Sequence, residues 1–226
     1  MDYSEPCQYS VRLVERLKSL DTETTLDFDL IHKAIYWAKK YHDGQFRKSG
    51  QPYYTHPLEV AYMVSEYKLK TDVIVTAILH DIVEDTEVTA GMILDEFGRR
   101  IEEMVDRLTR DRPDGSKLSV EEILSNAYEK DDKEVLLIKV IDRLHNMQTI
   151  SAKKPEKQKK TINDTLENIL VFYEYLELPL IANYIVQICT KNKINLNIQN
   201  SMHNIFYFSF SKAYSLLSPI DQNDEH

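Results

Sequence analysis

Cysteine is nearly absent. Only Cys7 and Cys189 occur in 226 residues, far apart in the chain. Two distant thiols do not make a disulfide framework. Neither lies near the histidines and acids described below, which speaks against a sulfur-rich structural zinc centre. No apolar run reaches the length of a membrane-spanning helix. The opening residues MDYSEPCQYS lack the basic start and apolar core of a secretory signal. These absences lead to the expectation of a cytoplasmic protein with no membrane partner. Positive charge is also short: 28 Lys and Arg against 37 Asp and Glu leave a formal net charge of -9. Wholesale binding to nucleic acid, which calls for a basic surface, is therefore not expected. An anionic ligand would have to be met by local positive charge.

What is present is helical spacing. Hydrophobic content of 42% beside 29% charge suits a globular chain, and the length suits one domain with a substantial core. The pattern predicts an all-α fold. Asp27 to Tyr41 alternates apolar and charged groups at helical spacing and stops at the turn signal Asp43-Gly44. Residues 47–55 read as a loop and Leu58 to Leu69 as a helix. Thr71 is placed to cap the next helix, which runs through the Glu84-Asp85 pair. Thr89 to Phe97 and the segment after Gly98 give two more, followed by a charged loop from Arg110 to Lys117. Asp131 is placed to cap the helix that carries Asp142. Pro155 to Leu176 and Pro179 to Thr190 close the series, with KKPEKQKK as a solvated helix start. The domain reading is an N-terminal helical extension over 1–26, a body over 27–191, and a C-terminal extension over 192–226. The last is expected to be partly helical with a disordered end. Its segment IFYFSFSKAYSLL is apolar enough to pack on the body or to form a homodimer contact.

The chemistry concentrates in LHDIVEDT. In a helix, residues four apart share a face, so His80 lies under Glu84 and Asp81 under Asp85. Four such groups are costly to bury without a cation or a substrate to satisfy them. His56, in PYYTHPLEV, precedes Pro57, which fits a first helical turn. Asp142, in LLIKVIDRLHNMQT, is a lone acid on the inner side of an apolar helix. His56, His80, Asp81 and Asp142 give two imidazoles and two carboxylates, a set that suits a divalent first-row ion with positions left open. Glu84 and Asp85 would stand one turn further on as an acid/base and orienting pair, and their closeness should raise one pKa. Arg47 and Lys48 supply local positive charge, with Lys139 and Arg143 flanking Asp142. His42 reads as a cap at the end of its helix, and His145 as a packed histidine within reach of second-sphere bonding to the Asp142 site.

GQFRKSGQPYYTHP, LHDIVEDT and IKVIDRLHNM, in this order, resemble the hydrolase domain of the RelA/SpoT family, over about Ile31 to Cys189. The resemblance implies an all-helical HD-type fold. It also implies a manganese ion on His56, His80, Asp81 and Asp142, and a hydrolytic role for Glu84 and Asp85. The substrate would be the alarmone ppGpp or pppGpp, losing its 3′-pyrophosphate. Nucleotide contacts would fall to Arg47, Lys48, Ser49, Asn146 and Thr149. One departure is Gln148, where the family commonly has arginine; altered affinity is expected, with the chemistry intact. Another phosphorylated nucleotide such as NADPH, or a non-catalytic alarmone sensor, are the competing readings.

Overall fold

The computed structural model describes residues 2–112 and 114–196, and the expectations for the stretch beyond 196 lie outside them. Among the described residues there is no strand; only two isolated bridges, Phe46 to Pro52 and Asp111 to Lys117, interrupt the helices and loops. The chain divides into two compact units between Ala152 and Lys153, inside the stretch read above as one body.

The first unit holds α1 (Gln8–Leu20), α2 (Phe28–Tyr41), α3 (Thr55–Val64), α4 (Thr71–Leu79) and the single turn α5 (Ile82–Asp85). It continues with α6 (Ala90–Phe97), α7 (Arg99–Leu108), α8 (Val120–Glu129) and α9 (Lys133–Gln148). The centre of this unit is α4. Val73, Ile74, Val75, Thr76, Ala77, Ile78 and Leu79 are all buried, so the helix has no solvent face. Five of those seven are β-branched and intrinsically poor helix formers. Packing on all sides, against α2, α3, α7 and α9, is what makes the segment helical. The surrounding helices bury one stripe each. In α2 it is Ile31, Ala34, Ile35 and Ala38; in α7 it is Ile101, Met104, Val105 and Leu108, the spacing of an amphipathic helix.

Several boundaries differ from the sequence reading. Asp27 does cap α2, accepting from Leu30 N–H. Thr71 does not cap α4: it is the first helical residue, and its Oγ1 accepts from Asp27 N–H instead. The cap of α9 is Asp132, one residue beyond the one expected, while Asp131 takes a positive φ of 50° in the preceding turn. The third helix stops at Val64 because its apolar face runs out at Ser65, Glu66 and Tyr67, which close in tight turns. Helix α8 has no counterpart in the sequence reading, yet its signal is legible. Ser119 and Glu122 form a capping box ahead of buried Ile123, Leu124 and Ala127.

The second unit holds α10 (Pro155–Asp164), α11 (Leu170–Tyr175) and α12 (Pro179–Asn195). The single helix expected from Pro155 to Leu176 is broken by a wide π turn, Thr165–Ile169, at which Thr165 Oγ1 donates back to Thr161 O. Pro155 and Pro179 both stand in first turns, where a missing N–H costs no helical bond.

Because α4 has no spare volume, truncating it should be costly. Ile78→Ala is expected to destabilise the first unit by about 2–5 kcal/mol. A urea unfolding series would show this as a lower midpoint at unchanged slope.

Candidate active site

The run LHDIVEDT is not one helix. Helix α4 ends at Leu79, Asp81 leaves helical geometry at φ -119° and ψ 1°, and α5 starts at Ile82. The break corrects the picture of a continuous face carrying all four polar groups. One of its links survives, since Asp85 N–H still bonds Asp81 O at 3.0 Å. The consequence is that two adjacent side chains, His80 and Asp81, face the same interior, which a continuous helix would hold about 100° apart.

His80 meets two other polar groups there. His56 comes from the first turn of α3 and Asp142 from the middle of α9. One ligand atom from each of the three lies within 4.8 Å of the others. His56 Nε2 is 3.1 Å from Asp142 Oδ1, and His80 Nε2 is 3.8 Å from the same oxygen. Asp81 stands beside the three, its Oδ2 3.8 Å from His80 Nε2 and its Oδ1 3.4 Å from His42 Nε2.

This donor set fits a divalent cation on two observations. His80 Nδ1 bonds Ala77 O at 2.9 Å. A carbonyl only accepts, so Nδ1 carries a hydrogen, and Nε2, which faces the carboxylates, is the nitrogen that would give its lone pair to a cation. Both Asp81 oxygens are buried without a hydrogen-bond partner, an arrangement that is expensive unless positive charge meets them. The titration behaviour expresses the same demand. Burial opposes charge on His80, but Asp81 and Asp142 outweigh it and lift its pKa to about 9. Burial likewise opposes charge on Asp142, yet His56, His80 and Lys139 hold its carboxyl well below the usual range. The Asp81 carboxyl is lowered against its burial by His80, His42 and His56. For His56 burial prevails and lowers its pKa. Lys139, itself buried, places Nζ 3.7 Å from Asp142 Oδ2, so it serves the acid on its own helix.

Around the cluster is a polar frame that the sequence reading only partly anticipated. His42 does occupy the C-cap position of α2, but its ring turns inward rather than capping carbonyls. Its Nδ1 bonds Gln45 Oε1 at 2.8 Å, and Gln45 Nε2 donates to Asp85 O at 2.8 Å. Tyr53 stacks on His42 with ring centroids 4.8 Å apart and donates its hydroxyl to Asp85 Oδ2 at 2.7 Å. Burial, then Asp81 and Asp85, raise the Tyr53 phenol, so it remains a donor. Gln45 and Tyr53 were legible only as neighbours of the RKSG and THP motifs; nothing in their spacing marked them.

Glu84 and Asp85 are held by different partners. Glu84 Oε1 is 3.2 Å from Lys117 Nζ, and its Oε2 accepts from Arg110 N–H at 3.3 Å, both from the charged loop after α7. Asp85 is the acid whose pKa rises; shielding by the protein is the main cause, and the charges of Asp81 and Glu84 add to it. The expected upward shift is therefore present, with mutual repulsion as a secondary cause.

The basic loop is a tight turn. Arg47 N–H bonds Gln51 O at 2.8 Å, Gly50 N–H bonds Arg47 O at 2.9 Å, and Gly50 takes φ 86°, a conformation that favours glycine. Arg47 points inward and donates to Asn146 Oδ1 at 3.1 Å and Thr149 Oγ1 at 3.2 Å. Asn146 in turn donates to Asp142 Oδ1 at 2.6 Å. The expected nucleotide contacts Asn146 and Thr149 thus brace Arg47 and link it to the cluster. Lys48 and Ser49 stand exposed at the tip of the turn, away from these bonds, and Gln148 is exposed on α9.

Comparison with known proteins agrees with this geometry. The family described as HD domain matches residues 34–170. A GTP pyrophosphokinase of Myxococcus xanthus is 40% identical over 149 residues, which is 62% of this chain and 20% of that protein. The bifunctional (p)ppGpp synthase/hydrolase SpoT of Escherichia coli is 33% identical over 144 residues, 61% of this chain and 20% of that protein. The chain therefore spans about a fifth of the length of these curated relatives. Among solved structures, one described as a metazoan ortholog of SpoT that hydrolyzes ppGpp matches with a TM-score of 0.56 at 20% identity. That match covers 81% of this chain and 96% of the other, and supports the fold.

A divalent cation should stabilise the folded chain. Manganese at 100 times its dissociation constant is expected to add about 2.7 kcal/mol. Calorimetry should show a higher unfolding midpoint, with Asp142→Asn losing most of the shift. A wild-type midpoint indifferent to manganese would contradict the cation site.

Proposed function

The chain belongs to the HD-domain family, and from that premise we propose that it is a metal-dependent hydrolase of the alarmones ppGpp and pppGpp. It would remove the 3′-pyrophosphate and leave GDP or GTP. The observation that carries this reading is the convergence of His56, His80 and Asp142, with Asp81 beside them, next to the inward-pointing Arg47. The relatives' names point to the same substrate class.

His56, His80, Asp81 and Asp142 would hold the cation, with manganese as the ion of choice. Such an ion lowers the pKa of water from about 15.7 toward neutrality and screens phosphate charge. The remaining work falls to the chain. Asp85 would take the proton of the attacking water. Its raised pKa brings it closer to the operating pH than an ordinary carboxylate, the condition under which a general base works best. The Tyr53 hydroxyl holds that carboxylate in one orientation. Glu84, tied to Lys117 and to the Arg110 N–H, is the less available base and would orient water or substrate.

Arg47 offers a planar cation on which a purine can stack, which lysine does poorly. Asn146 and Thr149 fix that plane, so part of the ordering cost of binding is met before the nucleotide arrives. Lys48 and Ser49, exposed on the turn, would meet the nucleotide from the solvent side.

Release of pyrophosphate from ppGpp, assayed with and without manganese, tests the reading. Turnover should require the ion, and its absence under both conditions would refute the proposal. Asp85→Asn is expected to lower kcat roughly 10²–10⁴-fold while leaving manganese binding in place. Glu84→Gln should cost less than Asp85→Asn, and equal or reversed losses would reassign the base. Arg47→Ala should act chiefly on KM, measurable in the same steady-state series.

A further inference from the structure

His145 lies one turn along α9 from Asp142, and the sequence reads it as a packed histidine within reach of second-sphere bonding to Asp142, with no bond to His56 foreseen. The structure brings its Nδ1 to 2.7 Å from His56 Nδ1. The two ring centroids are 4.8 Å apart with planes inclined by 25°. With the nitrogens so much closer than the centroids, the rings meet edge to edge, and the lone pair of one nitrogen lies along the N–H of the other. This is a hydrogen bond between imidazoles and not a face-to-face stack.

One hydrogen serves that bond, and its position follows from what the opposite edge of His56 does. His56 Nε2 points at Asp142 and the cluster. To give its lone pair to a cation, Nε2 must be bare, so Nδ1 must carry the hydrogen. His145 Nδ1 is then the acceptor, and His145 keeps its own hydrogen on Nε2. We propose that His145 is a positioning residue: it accepts from His56 Nδ1–H, selects the tautomer in which His56 is a cation ligand, and fixes the plane of that ring. The assignment rests on the cation-site reading given above and adds to it a residue outside the four ligands.

The choice of acceptor has a physical consequence. Ligand histidines are commonly oriented by a carboxylate or a backbone carbonyl. A carboxylate at position 145 would put a third acid beside Asp81 and Asp142. A neutral imidazole makes the same hydrogen bond without further reducing the net charge of the site.

The test separates an acceptor from a mere space-filler. Isothermal titration of the full chain with manganese alone would compare the wild type with His145→Phe and His145→Asn. Phenylalanine keeps a flat ring and removes the acceptor; asparagine keeps an oxygen near the place of Nδ1. Phe is expected to weaken manganese binding roughly 10–100-fold, the usual effect of losing an orienting partner, and Asn to restore most of it. If Phe binds manganese as tightly as the wild type, or if Asn loses as much as Phe, the assignment is wrong. Should the wild type bind no manganese, the cation-site reading falls and takes this one with it. An independent measurement needs no variant: nitrogen-15 spectra of the imidazoles in the wild-type chain titrated with Zn2+, a diamagnetic probe. They should show the shared hydrogen on His56 Nδ1 and a bare His145 Nδ1. A hydrogen found on His145 Nδ1 instead overturns the proposal.

Discussion

Two buried carboxylates, Asp81 and Asp142, set the terms for everything around them. Removing ionised acids from water is expensive, and attraction to positive charge must offset the loss. The fold answers with His80 and Lys139 at Asp142 and with His42 at Asp81, while the His56 ring stands 3.1 Å from Asp142 as a polar partner. The Asp81 oxygens still lack a hydrogen bond of their own. A polar group left in that condition inside a packed interior is the mark of a site built to hold something positive.

The scaffold explains how such a cluster is tolerated. Helix α4 is buried on every side and made largely of β-branched residues, so it is held by its neighbours rather than by its own propensity. That rigid core fixes where its C-terminal end lies, and the kink at Asp81 turns two consecutive side chains inward from that end. Helices α3 and α9 pack on α4 and on each other, which brings His56 and Asp142 to the same place. A second layer of bonds then locks the polar groups. His42, which faces Asp81 at 3.4 Å, bonds Gln45, which with Tyr53 holds Asp85, while His145, Asn146, Thr149 and Arg47 connect His56 and Asp142 to the basic turn. Arg47, Asn146 and Asp142 thereby form one hydrogen-bonded chain, and His42, Gln45, Asp85 and Tyr53 form another, while Glu84 is held apart by Lys117 and the Arg110 N–H. A change at one point, such as a displaced Arg47, is felt at Asp142 through a single intermediate, Asn146.

Much of this was readable in the chain. Helix spacing marks α2, α6 and α7, because an apolar stripe at a period of 3.6 residues has few other uses, whereas α4 is apolar all round and its run alone could as well be a buried strand. The residue types at His56, His80, Asp81 and Asp142 announce a mixed nitrogen and oxygen site. Boundaries were less legible. Thr71 and Asp131 are good capping residues by type, yet the caps fall at Lys70 and Asp132, because tertiary contacts decide where each turn closes. The kink at Asp81 was invisible for the same reason: no glycine or proline marks it, and the packing of distant helices decides it.

By itself the sequence determined the helical class, the set of polar residues available for chemistry, and the positive charge near Arg47 that an acidic chain needs for an anionic ligand. Only the tertiary structure decided which of those residues meet and which of their atoms face one another. It turned His42 and His145 inward as partners of Asp81 and His56, gave Glu84 to Lys117 and Asp85 to Tyr53, and left Lys48 and Ser49 in solvent. The physical reason is that hydrophobic patterning specifies a face. A hydrogen bond specifies an atom at about 3 Å, and such distances are set only when distant helices have packed.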